Sequence, residues 1–336
     1  MTQNAIRSLP KIELHRHLEG SIPLDTVLKW HKTYGLPLPP GNPKLAMQAT
    51  EPMPFAKVLD RLRFQQQCFQ NLESVEQLAY EVLKTISEDQ IKMIELRFSP
   101  AFMAEPQQLS FQGIMEAMLT AQERAEKDFD LQVGYLLISS RDYGQEACQQ
   151  TIDLALHWKN EIVGIDLAGD ELRFPLTLFE KPFLKAHEAG LKITVHAAEV
   201  GTATEIKTAI HQLKARRIGH GVQAHQDPHM QRLLMEQKIP LELCPTSNVM
   251  TQAVAALSAH PIKKLMAAGV LVTVNSDDPT LFNTSLSEEY LHCINDLNFT
   301  IADLKKTILT AYHHSFLPEW KKKKAWNQHF KYLAGC

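Results

Sequence analysis

Short runs rich in Val, Ile and Leu recur along the 336-residue chain, each separated from the next by a stretch whose apolar residues return every three or four positions. The runs occupy 11–17, 91–99, 131–139, 162–167, 191–196, 217–220, 239–244 and 270–275. In Val270-Leu-Val-Thr-Val nearly every position is apolar, which marks a parallel strand buried on both faces. The intervening stretches carry helical spacing. Leu176, Phe179, Phe183, Leu184 and His187 precede the fifth run, and Met230, Leu233 and Leu234 precede the seventh. Gly190 and Gly269 follow two of these stretches, where a left-handed residue ends a helix. Eight strand-helix units with no Ser/Gly linker predict an α/β chain folded as one closed (β/α)8 barrel of the TIM type over residues 1–336, with an open doubly wound sheet as the alternative. Residues 23–90 hold at least two helical stretches, including 55–69, and read as a helical insertion after strand one that forms a lid. A further helical pair, 285–295 and 301–313, follows strand eight.

Composition narrows the partners. With 35 Lys+Arg against 38 Asp+Glu, the formal charge of -3 supplies no basic field for a nucleic-acid backbone, and 44% hydrophobic residues exclude a disordered chain. The four lysines at 321–324 read as a solvated last turn of a helix. Cys68, Cys148, Cys244, Cys293 and Cys336 are odd in number and show no C-x-x-C pair, which argues against a disulfide framework and points to a reducing compartment. MTQNAIRSLPK at the start has no apolar segment, and no run reaches about 18 apolar residues. The expectation is a cytoplasmic protein with neither membrane nor nucleic acid as partner.

Polar residues gather at the C-terminal ends of the expected strands, the rim where barrels build their sites. Glu13-Leu-His15-Arg-His17 places two imidazoles on one side of a strand, where they can converge on one ion or be unrelated buried histidines. Thr194-Val-His196-Ala-Ala-Glu199 ends a strand in His, with a carboxylate three residues on. Glycines flank His220 in Arg217-Ile-Gly-His220-Gly221 and remove bulk around it. Adjacent acids close Asn275-Ser-Asp277-Asp278-Pro279; on a continuing strand they face opposite ways, one toward a metal and one toward a substrate, and otherwise they form a solvated turn. Gly164-Ile-Asp166-Leu-Ala168-Gly169-Asp170-Glu171 offers a bare backbone N–H to a heterocycle, or a tight turn. Three imidazoles and one carboxylate from this group would suit Zn2+ with a position open for water. The other eleven histidines read as surface or packing residues, and Phe55, Leu59 and Phe64 as helix core, with a hydrophobic lid over the site as the alternative.

Six segments, H-R-H-L-E-G, G-I-D-L-A-G-D-E, T-V-H-A-A-E, R-I-G-H-G-V, C-P-T-S-N and N-S-D-D-P, stand in the order found in the adenosine and adenine deaminases, zinc enzymes of the amidohydrolase superfamily. The chain resembles that family from about residue 9 to 279. The resemblance implies one Zn2+ per chain held by His15, His17, His196 and Asp277, with His17 also beside the substrate. It implies Glu199 as proton donor to purine N1, His220 as the residue that orients and deprotonates the attacking water, Asp278 as acceptor from N7, and Gly169 as the amide that meets N3. Glu19 stands where the nucleoside enzymes usually carry an Asp contacting the ribose 5'-hydroxyl. The family's H-A-G-E is H-A-A-E here, so Ala198 adds a methyl beside Glu199, where clearance above the purine is tight. Glu19 and N-S-D-D-P are shared with the adenine-specific branch, whereas G-I-D-L-A-G-D-E and R-I-G-H-G-V are adenosine-type forms. The implied reaction is hydrolytic deamination of adenosine and 2'-deoxyadenosine to the inosine product and ammonia, in purine salvage; adenine or another 6-aminopurine nucleoside is the alternative. A two-metal amidohydrolase would carry a Lys at the end of strand four, where this chain has Ile165-Asp166-Leu167. The cytidine-deaminase type needs P-C-x-x-C, and Cys244-Pro-Thr-Ser has a single thiol. An inactive purine-binding barrel would be expected to have lost one of these residues, and all are present.

Overall fold

The computed structural model describes residues 3–39 and 41–335. Eight strands, β1 Lys11–His17, β2 Ile91–Phe98, β3 Gln132–Ser140, β4 Gly164–Ala168, β5 Ile193–Ala197, β6 Arg217–His220, β7 Leu241–Leu243 and β8 Val272–Val274, lie side by side in chain order. Each pair from β1·β2 to β7·β8 is parallel, and helices follow the strands around the outside, giving the (β/α)8 barrel. The seam between β8 and β1 is closed beyond the end of β8. Arg16 bridges Asp277; the His17 amide donates to the Asp277 carbonyl at 3.0 Å, and the Asp277 amide donates to the His15 carbonyl at 3.1 Å.

The strands are not apolar on both faces. Ile94-Glu95-Leu96-Arg97-Phe98 and Ile165-Asp166-Leu167 alternate, the apolar members joining the core beneath the helices and the charged members facing the barrel axis. Arg97 on β2 donates to Asp166 on β4 at 2.7 Å, to Glu242 on β7 at 2.8 Å and to the Leu14 carbonyl at 2.6 Å. Arg217 on β6 donates to Glu242 at 2.5 Å and to Glu95 on β2 at 2.7 Å. Contacts between opposite sides of the barrel can only cross its axis, and all five side chains are fully buried. An isolated carboxylate there would cost several kcal/mol, so each is paired with a guanidinium. The Arg217 guanidinium also lies 3.7 Å over the Phe316 ring, while the Ser315 hydroxyl donates to Glu95 at 2.8 Å.

Local signals explain the helices. Asn71 and Thr300 start Leu72–Glu88 and Ile301–His314 with reciprocal side-chain caps from Ser74 and Asp303. Gly190 and Gly269 take φ of 87° and 94° after their helices, the left-handed ending that only glycine adopts without strain. The insertion after β1 holds Leu24–Tyr34, Pro43–Met47, Phe55–Arg61, Arg63–Gln66 and Leu72–Glu88. The expected helix over 55–69 is therefore broken. The Leu62 amide bonds the Leu59 carbonyl three residues back, at 3.2 Å, which tightens the turn and bends the chain. The lysine run is likewise only half solvated. Lys323 and Lys324 are exposed, but Lys321 donates to Glu126 at 2.5 Å and to the Val133 carbonyl at 2.7 Å, and Lys322 is buried against the barrel with its ammonium on Glu319.

Arg217→Met would leave Glu95 and Glu242 without their shared cation. We expect a loss of roughly 3–5 kcal/mol in stability, read as a lower urea midpoint; an unchanged midpoint would show that the axial network is not needed to hold the barrel.

Candidate active site

The C-terminal ends of β1, β5, β6 and β8 bring four imidazoles and three carboxylates to one place. His15 and His17 project from β1 on the same side, as their spacing of two requires. The Nε2 atoms of both lie 3.2 Å from Asp277 Oδ1, and His17 Nε2 lies 3.3 Å from His196 Nε2. One ligand atom from each of His15, His17, His196 and Asp277 falls within 4.8 Å of every other. Bonds of 2.0–2.1 Å to a tetrahedral ion set its ligands about 3.3 Å apart. His15 Nε2 is also buried without a hydrogen-bond partner. This donor set fits a divalent cation.

The ring orientations have a cause behind them. His15 Nδ1 bonds Glu242 at 2.9 Å and His196 Nδ1 bonds Asp166 at 3.1 Å. Carboxylates only accept, so each Nδ1 carries the proton and each Nε2 lone pair is left to aim at the cation. The flanking guanidiniums and imidazoles hold Glu242 and Asp166 well below the usual carboxylate range despite their burial. Asp277 is likewise lowered, by His15 and His17, against its burial. A second grouping places Cys244 and His220 near His15 and Asp277, but burial and the Asp277 charge push the Cys244 thiol up, away from the thiolate a metal takes.

Glu199 lies just beyond β5, 4% exposed. Its Oε1 accepts from the Thr251 hydroxyl at 2.9 Å, and its Oε2 is 3.6 Å from His220 Nε2. Burial, reinforced by the Asp277 charge, raises its carboxyl well above the usual range, which favours its protonated form. Asp278 is raised for the same two reasons, and its Oδ1 is buried without a partner. Gly20 makes room for Asp278: a Cβ there would stand 1.8 Å from Asp278 Oδ1. Glu19 sits in the short turn Glu19–Ser21 and accepts from the Ser99 amide at 2.7 Å. Gly169 has φ of 102°, and a Cβ on it would meet Asp142 Oδ2 at 2.2 Å. Gly219 clears the imidazoles in the same manner, its Cβ position being 3.1 Å from His15 and 3.2 Å from His196.

His17, Glu19, Gly169, His196, Glu199, His220, Asp277 and Asp278 line one cavity of about 380 Å³, and His15 stands behind its floor, fully buried. All nine residues singled out in the sequence are therefore gathered together. The two acids diverge for a reason other than strand alternation. β8 ends at Val274, and Asp277 takes a left-handed φ of 62° that turns its side chain to the imidazoles while Asp278 enters the cavity. Phe55 and Leu59 line the cavity, as the lid alternative for them expects, and form an apolar wall with Leu62 at the helical break; Leu62, Gln66, Phe102 and Thr251 had no legible signal. Phe64 packs on the core instead.

The family model described as adenosine deaminase matches residues 10–330. The chain belongs to the adenosine deaminase family. It is accordingly a deaminase, a hydrolase acting on a small-molecule purine. Among family members, the adenosine deaminase of Aliivibrio fischeri strain MJ11 is 37% identical over 323 residues, covering 95% of this chain and 97% of that protein. Among solved structures, an adenine deaminase from Arthrobacter aurescens superposes with a TM-score of 0.90 at 24% identity, over 97% of this chain and 99% of that one. Arabidopsis ADAL complexed with IMP superposes at 0.87 and 25% identity, over 98% of each.

The departure from the family's H-A-G-E acts through the backbone. Ala198 is fully buried, does not line the cavity, and has φ of 57°, a conformation glycine adopts freely. Its methyl thus costs about 1–2 kcal/mol of strain rather than clearance above the ligand. Ala198→Gly should raise the melting temperature by a few degrees and leave turnover within a few-fold; a lowered melting temperature would contradict the strain. The loop after Glu199 is held by Glu171, whose Oε1 accepts from the amides of Val200 and Gly201 at 2.5 Å. Beside it, burial and then the Glu171 charge raise Glu205 from 4.5 to about 7. A raised folded-state pKa gives stability that is whole below about 4.5 and lost as pH rises through about 7. Melting curves between pH 5 and 8 should therefore flatten in Glu205→Gln, with the gain confined to the alkaline end.

Proposed function

We propose that the protein hydrolyses the 6-amino group of adenosine and 2'-deoxyadenosine, releasing ammonia and the inosine product, with one Zn2+ held by His15, His17, His196 and Asp277. What supports this most is the pairing of a compact His/His/His/Asp donor set with a second buried carboxyl, Glu199, whose affinity for a proton is raised, across one cavity. When bound, the ion lowers the pKa of water to about 7 and supplies hydroxide near neutral pH. Addition at C6 breaks the ring's aromaticity and drives electron density to N1, where Glu199 delivers its proton, held ready by the Thr251 hydroxyl. Asp278 shares one hydrogen bond with N7. Burial and the Asp277 charge raise its carboxyl, and its Oδ1 is buried without a partner, so that oxygen is free for this bond. The Gly169 amide is assigned to N3, His17 flanks the ring, and His220 faces the reacting carbon.

Beyond the base, the cavity favours a nucleoside over a nucleotide. Glu19, Glu105, Asp142 and Asp170 line it away from the donor set, whereas its only guanidiniums, Arg63 and Arg173, lie at the exposed rim. A phosphate would meet carboxylates before cations; a sugar hydroxyl can donate to Glu19. Adenine would leave this polar extension unfilled.

Glu199→Gln should keep its zinc and lose nearly all turnover, at least about 10²-fold; retained turnover removes Glu199 as proton donor. Asp277→Ala should lose the metal, while Asp278→Ala should keep it and lose rate, and a swap of these phenotypes would reverse the two assignments. Side-by-side kcat/KM values, followed by ultraviolet absorbance, should rank adenosine and 2'-deoxyadenosine above adenine and AMP; a higher value for adenine would move the substrate to the free base.

A further inference from the structure

We propose that His260 and Asn248, neither of which touches the substrate cavity, set the tautomer of His220, so that its Nε2 carries the proton and enters the site as a hydrogen-bond donor. The proposal deepens the deaminase reading by defining what His220 can do there, but the tautomer itself follows from hydrogen bonds alone.

One partner in this chain of hydrogen bonds has no choice of role. The Ile262 amide can only donate, and it donates to Nδ1 of His260 at 3.2 Å. That nitrogen must offer a lone pair. Burial pushes His260 down to about 3, so the ring is neutral and its proton sits on Nε2. Nε2 lies 3.1 Å from Oδ1 of Asn248 and donates to it. The amide nitrogen of Asn248, which can only donate, is then turned to Nδ1 of His220 at 3.1 Å. His220 therefore gives its Nδ1 lone pair to Asn248 and keeps its proton on Nε2, 3.6 Å from Glu199 and 3.8 Å from Asp277. Asn248 is fully buried, and His220 and His260 are 1% and 5% exposed, so bulk water does not compete for these bonds.

The local fold supports each link. Asn248 is fixed in the helix Pro245–Met250, its amide bonded to the Cys244 carbonyl at 2.9 Å and its carbonyl to the Val254 amide at 2.8 Å. His260 stands before Pro261, at the end of the short turn Leu257–Ala259. A neutral His220 with its proton on Nε2 has no lone pair to offer the reacting water. It orients an oxygen by donating to it, and His260 and Asn248 are positioning residues for that donor.

The test uses the full-length, zinc-loaded protein labelled with 15N-histidine. Long-range proton–nitrogen spectra distinguish protonated from bare ring nitrogens, with His220→Gln and His260→Gln assigning the peaks. Both rings should show a protonated Nε2 and a bare Nδ1. Asn248→Asp replaces the donor with an acceptor and should put a proton on His220 Nδ1, lowering kcat by about 10²–10⁴-fold, as a wrong tautomer does in a serine-protease triad, with zinc content unchanged. His260→Gln keeps a donor to Asn248 and should retain the His220 pattern and most of the turnover. A wild-type His220 protonated on Nδ1 overturns the proposal whatever the variants do, and so does an unaltered pattern in folded Asn248→Asp. If instead the expected tautomer is found in a protein that deaminates no purine, the deaminase reading fails and this one stands.

Discussion

Two guanidiniums on the barrel axis are the condition for everything at its mouth. Arg97 and Arg217 keep Glu242 and Asp166 ionised in the fully buried interior. Only ionised carboxylates draw the Nδ1 protons of His15 and His196 and so swing both Nε2 atoms toward one point. The charge balance leads to the same place. The two guanidiniums face Glu95, Glu242 and Asp166, and Asp277 adds another carboxylate above them, a surplus of negative charge that suits a cation at the imidazoles.

The mouth also carries strained backbone. Ala198, His220 and Asp277 all take left-handed φ values, between 57° and 62°, at or just past the ends of β5, β6 and β8. Such residues cost roughly 1–3 kcal/mol each and persist only where the surroundings over-determine them. Here each one converts a strand, whose side chains alternate, into a turn that delivers the next group inward: Glu199 after Ala198, His220 itself, and the Asp277 and Asp278 pair.

All eight strands, and the nine candidate residues that the fold gathers, were legible because both leave short-range marks: apolar runs on one hand, and His, Asp, Glu and Gly at the ends of those runs on the other. The polar axis was partly hidden. Single charges such as Glu95 and Asp166 inside apolar runs look like interruptions until strands far apart in sequence bring their partners opposite. The break at Leu62 was unreadable, since it depends on one amide closing three residues back rather than four, and both alternatives fit the same spacing. His260 had no local signal either; nothing in Ala259-His260-Pro261 reveals that Asn248 will stand between it and His220. The lysines at 321–324 misled because a charge run reads as solvent-facing, whereas the stems of Lys321 and Lys322 cover apolar surface.

Asp277 completes the junction of β8 with β1 through its main chain and offers its side chain to the ion. Cofactor loading and circular closure thus converge on a single amino acid. Seven ladders join the eight strands, and an ion bound at Asp277 would act as a rivet across the remaining join, which a single bridge makes.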